Sequence, residues 1–177
     1  MNKQLAFYFA SFLVFFLLIT LARGWFIPNF IPFWVGGALG ALLPDVDHFV
    51  YIYFLRPHEL TSQRASRLAS SGKVFSAYDL LARTRSERTS LIFHTALFQI
   101  IFYVFAFFVL TSSNSLLGRG IVLSFLLHLL VDQYLDFQQI DSLSHWFKNL
   151  NIEISRDKTV FYWVAAAIIL IVFGFLF

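Results

Sequence analysis

Residues 36–55 read GGALGALLPDVDHFVYIYFL, a stretch apolar enough to lie in a bilayer that nevertheless carries Asp45, Asp47 and His48 near its middle. Asp45 and His48 stand three apart and share a helical face, whereas Asp47 points away from them unless the backbone is distorted. Pro44 supplies a cause of distortion, because it has no N–H for the Gly40 carbonyl and its ring crowds the preceding turn. A second pair, His128 and Asp132, stands four apart on one face, as a two-ligand unit requires. His94 lies at the start of a further apolar run, LIFHTALF. A charged side chain inside a bilayer costs at least about 2.5 kcal/mol on insertion scales, so those that persist usually face an interior site and serve function. Carboxylates and imidazoles in a chain without cysteine match Zn²⁺ first, then Mn²⁺ or Fe²⁺, and six candidate ligands suffice for one ion or two. A bound cation would compensate the buried carboxylates and keep the histidines neutral.

These groups need elements to position them. With 59% hydrophobic and only 13% charged residues, the composition is that of an integral membrane protein. The 177 residues form one domain, with no repeat and no break that would mark a soluble module. The absence of cysteine excludes disulfides, thiolate sites and cysteine nucleophiles. Spanning a hydrocarbon core of roughly 30 Å takes about 20 apolar residues. Such runs lie at about 5–21, 30–55, 91–110, 120–135 and 159 to the terminus. The first resembles a signal-peptide core but exceeds the roughly 7–15 residues usual there, and is read as a retained anchor. The expectation is an all-α, polytopic helical membrane protein of about five spans. The fourth run, shortest and most polar, is expected to be enclosed by the others. Asp45 falls about 21 Å below Ile31 and Asp132 about 18 Å below Gly120 at 1.5 Å per residue, so both reach the level of His94.

Lys and Arg accumulate in short cytoplasmic loops. An N-terminus inside leaves only Arg23 and Arg119 on the outer side, with the other eleven basic residues in the cytoplasm. The basic balance therefore reports topology and anionic lipid rather than nucleic acid. Residues 56–90 read as a basic cytoplasmic helical loop broken at Gly72, its second helix starting at the capping-box pair Ser76 and Asp79. Residues 137–158 read as an interfacial segment, with Ile140, Leu143, Phe147 and Leu150 at helical spacing. Asp136 is expected at the interface, with His58 and His145 on the surface.

Three motifs in order, GALLPDVDH, the His-Thr of RTSLIFHTALF and FLLHLLVD, resemble the LexA-regulated, membrane-bound metal-dependent hydrolase family. Residue by residue, the resemblance points to Asp45, Asp47, His48, His94, His128 and Asp132 as the metal site. It covers about residues 34–136. Many members carry a further His-Arg five residues before the central His, where this chain has Thr89 and Ser90, with Arg88 nearby.

The leading expectation is metal-dependent hydrolysis of a phosphoester or related bond in an amphiphilic substrate at the cytoplasmic leaflet. Asp47 is the expected general base. Arg83, Arg85 or Arg88 would orient a phosphate. A transporter or channel, as a homo-oligomer, would use the same intramembrane Asp and His groups for ion or proton passage. A third possibility is a scaffold whose polar cluster only fixes helix packing.

Overall fold

The computed structural model describes residues 3–84 and 91–176. Among these residues all regular structure is helical. The helices are α1 (Lys3–Arg23), α2 (Ile31–Leu42), α3 (Val46–Val50), α4 (Leu60–Ser70), α5 (Val74–Arg83), α6 (Ala96–Ser112), α7 (Leu116–Ile140) and α8 (Arg156–Leu176), with a 3₁₀ turn at Ser144–Leu150. Four stretches, Gln4–Arg23, Pro28–Leu55, Leu116–Ile140 and Arg156–Leu176, are long and apolar enough to cross a membrane. The third expected span, 91–110, is shorter, because α6 has 17 residues and residues 91–95 ahead of it are not helical.

α7 is the hub. Its membrane window is 61% buried against 22% for α1, so the fourth run is indeed the enclosed one. It is not the shortest: α7 begins at Leu116, where Ser115 Oγ accepts from Gly118 N, and runs 25 residues. α2 crosses it backbone against backbone. A Cβ on Gly36 or Gly40 would strike the main chain of Leu117 or Ile121, and one on Gly120 would strike that of Phe33 and Gly37. This close approach is what small residues at four-residue spacing make possible between membrane helices. One half of the bundle is filled by an apolar core that includes Phe16, Phe33, Leu110, Leu123 and Leu126.

The second span is broken where Pro44 required it. α2 ends at Leu42, α3 starts at Val46 over a tight turn, and a π-helical turn follows at Tyr51–Leu55. The basic loop folds as the α4–α5 hairpin, joined at Gly72 with φ +76°. Its second helix starts at Val74 without a side-chain cap, ahead of the expected capping box, and Asp79 pairs with Arg83 at 2.9 Å instead. The segment after α7 differs from the expected interfacial helix. Leu143 and Trp146 are fully buried, so this 3₁₀ turn is plugged into the bundle rather than laid flat on its end.

Candidate metal centre

Asp132, on the inward face of α7, is the centre of the cluster and is 1% exposed. Its Oδ2 lies 2.6 Å from His94 Nε2 and 3.3 Å from His128 Nε2. One ligand atom from each of His94, His128 and Asp132 lies within 4.8 Å of the other two, and all three residues are buried. Tyr8 of α1 donates its hydroxyl to Asp132 Oδ1, and its ring lies 5.0 Å from that of His128.

The other nitrogens of the two imidazoles define what this cluster can do. His128 Nδ1 is 2.6 Å from the carbonyl oxygen of Ala41. A carbonyl only accepts, so Nδ1 carries the proton, and a neutral ring would present the Nε2 lone pair. That carbonyl is available because α2 ends one residue later, in a turn whose last C=O groups have no partner within the helix. His94 stands between two carboxylates, with Nδ1 3.1 Å from Asp47 Oδ2 and Nε2 2.6 Å from Asp132 Oδ2; with the proton on Nδ1, toward Asp47, its Nε2 would be free to ligate. The Nε2 atoms of both rings therefore converge on one carboxylate. His128 Nε2 is buried with no hydrogen-bond partner. Lone pairs facing a carboxylate repel it; a cation among them turns the repulsion into ligation. The donor set fits a divalent ion, and imidazoles whose distal N–H groups are held by a carboxylate and a carbonyl are the usual support of such ligands.

Asp47 has a different place from the one expected. Its side chain turns from the converging atoms to the chain ahead of α6, where Oδ1 accepts from Ile92 N at 3.0 Å and Oδ2 from Phe93 N at 2.6 Å and His94 N at 3.4 Å. Both oxygens are engaged by main-chain donors and one also by His94, so the geometry makes Asp47 the residue that orients His94 and ties α3 to α6. It is poorly disposed to act as a general base.

Asp45 and His48 share a face as their spacing required, and both line a cavity of about 350 Å³ under the α4–α5 hairpin. Asp45 Oδ1 is 3.7 Å from His128 Nε2, and its side chain is 37% exposed. The His48 ring stacks on that of His94 at 5.0 Å. All six sequence-derived candidates thus meet at one level: three converge, Asp47 supports, and Asp45 and His48 face the cavity. Arg83 is not brought there; it is 78% exposed and paired with Asp79. Arg85 and Arg88 lie outside the described residues.

Two residues escaped the sequence reading. Tyr8 is a polar tip in the apolar run of α1, and Asp136, one turn beyond Asp132, is 3% exposed rather than interfacial. Asp136 Oδ2 accepts from Trp146 Nε1 at 2.8 Å and lies 2.9 Å from His145 Nε2. The four-residue spacing of Asp132 and Asp136 was the available signal that Asp136 faces inward. No family model, curated protein or solved structure matches this chain.

Proposed function

We propose that the chain is a membrane-embedded, divalent-metal-dependent hydrolase of the LexA-regulated family that its motifs resemble, acting on a phosphoester or related bond of an amphiphile in the cytoplasmic leaflet. The observation that carries this reading is the convergence of two imidazole nitrogens on Asp132, with each ring's other nitrogen beside a buried acceptor. His94, His128 and Asp132 would hold the ion, for which two imidazoles and a carboxylate favour zinc. Such an ion supplies Lewis acidity and lowers the pKa of bound water. The chain's residues supply the rest. Asp47 and the Ala41 carbonyl fix the two rings, Tyr8 anchors Asp132, and Asp45 at the cavity mouth takes the proton from the attacking water as general base. The cavity beneath α4–α5 receives the polar group.

Purified protein assayed for metal, and then offered phosphorylated lipids in mixed micelles, tests the reading. Near-stoichiometric metal, with turnover lost after chelation and restored on reloading, is expected. A folded protein that binds no divalent metal would sink it.

A second reading rests on the continuous run of close contacts Asp47, His94, Asp132 and Tyr8, which could pass protons. Against a conduit, the other half of the bundle is closed by Phe16, Phe33, Leu123 and Leu126. Proton flux through vesicles containing the parent protein, lost in His94→Ala, would favour this second reading over hydrolysis.

A further inference from the structure

Two cavities meet at the cluster, and their linings differ. The first is the one beneath the α4–α5 hairpin, which reaches Asp132, Asp45 and His48. The second, about 310 Å³, is a trough between α1, α2 and α7. Its lips include Phe9 and Leu42, 58% and 65% exposed on helical stretches long and apolar enough to span a membrane, so its mouth faces hydrocarbon rather than water. Along its length stand Ala38, Ala41 and Ser124, small side chains that leave the space open. Tyr8, Asp45 and Tyr78 line both cavities and mark the junction.

Apart from Tyr8, Asp45 and Tyr78 at the junction, the polar side chains lining the trough are His128 and Ser124, both on α7. His128 heads the trough, with Nε2 buried and lacking a hydrogen-bond partner. Ser124 lies four residues earlier on the same face of α7, about 6 Å deeper. It is 1% exposed, and its Oγ also has no hydrogen-bond partner. A plain alkyl chain would leave that hydroxyl unsatisfied in an apolar setting, at a cost that a ligand oxygen removes. The oxygen required sits several bonds beyond the group held at His128, which is where an acyl ester stands relative to the phosphate of a glycerolipid.

We infer that the trough binds the acyl chain of an ester-linked phosphoglycerolipid, with Ser124 donating to the ester carbonyl and the headgroup reaching the hairpin cavity past Asp45. The scissile phosphoester would then lie where head and tail join. That placement of the bond rests on the hydrolytic reading; occupancy of the trough does not.

Site-resolved photolabelling tests the binding. Full-length protein in phosphatidylcholine vesicles is irradiated with a diacylglycerol phosphate bearing a diazirine in one acyl chain, and adducts are mapped by peptide mass spectrometry. Adducts are expected at least tenfold enriched around Ala38, Leu127 and Ser124 over Phe108, which is 61% exposed on α6 and marks general lipid contact. Ala38→Trp should remove the enrichment while metal content stays at the parental level; Leu127→Trp serves should the first variant fail to fold. Ser124→Ala should lower labelling by the ester probe about fivefold, the worth of one hydrogen bond, and leave an ether-linked probe unchanged. Equal labelling of the trough and Phe108, insensitive to Ala38→Trp, would overturn the trough even if the protein binds metal and turns over lipid. Equal labelling of the parent by ester and ether probes would overturn the role of Ser124. Trough labelling in a protein without metal or turnover would leave this inference standing and remove the hydrolytic one.

Discussion

At the scale of single residues, the centre depends on groups that never touch its converging atoms. Asp47 accepts through both oxygens, so Asp47→Asn replaces one acceptor by an NH₂ that faces N–H donors. The expected result is a loss of about 1–3 kcal/mol of stability in detergent thermal unfolding. It should also weaken metal affinity by roughly 10- to 100-fold, measured by competition with a chelator, because His94 loses its orienting carboxylate. Asp132→Ala should exceed that loss, since it removes the proposed ligand that lies near both imidazoles. A variant at Asp132 that retained the parental metal content would refute the assignment. Asp45→Asn belongs to a third class. It should keep the metal and lose turnover, as measured by phosphate release, because the amide cannot accept the proton from water.

At the scale of elements, the crossing of α2 over α7 sets the distance between Ala41 and His128. Gly40→Ala would place a Cβ 2.8 Å from Ile121 Cα, and Gly120→Ala one 2.8 Å from Gly37 N. Backbone cannot yield as a side chain does, so each should cost about 1–3 kcal/mol or prevent folding. Gly118→Ala is the control. Its Cβ would meet nothing closer than Ser115 Oγ at 3.4 Å, and relief of glycine's helical penalty should leave stability unchanged or raise it by about 0.5–1 kcal/mol. Thermal unfolding of the three variants side by side checks the contrast. If Gly40→Ala proved as stable as Gly118→Ala, the backbone crossing would be wrong.

At the scale of the molecule, the helix order collects the starts of α1, α6 and α8 and the ends of α2 and α7 at one end of the bundle, together with the α4–α5 hairpin. Nine of the basic residues described, including Lys3, Arg64, Lys73 and Lys158, belong to that end, and Arg23 and Arg119 to the other. By the positive-inside bias, the end that carries the candidate metal centre is expected on the cytoplasmic side. The chain has no cysteine, so single cysteines at Ser71 and Ser113 are clean reporters. An impermeant thiol reagent added outside should label position 113 and spare position 71, and the reverse pattern would invert the orientation.

Composition and run length were enough to identify a helical membrane protein, because a bilayer leaves backbone polar groups no other partners. Spacing paired Asp45 with His48 and His128 with Asp132, since three- and four-residue intervals fix a shared face regardless of context; even the break at Pro44 was legible, because the missing N–H is a property of the residue itself. The division of labour was not legible. That Asp47 binds the main chain of residues 92–94 depends on where α6 begins, and that His128 donates to Ala41 depends on where α2 ends and how closely three glycines let α7 approach. Tyr8 meets Asp132 across more than a hundred residues of chain. The lengths of α6 and α7 were misjudged for a related reason, as Asp47 holds residues 92–94 while Ser115 carries α7 a turn beyond its apolar run. Local sequence specifies which groups a helix presents and on which side. Which partner each group meets is a distance between helices, and only their packing decides it.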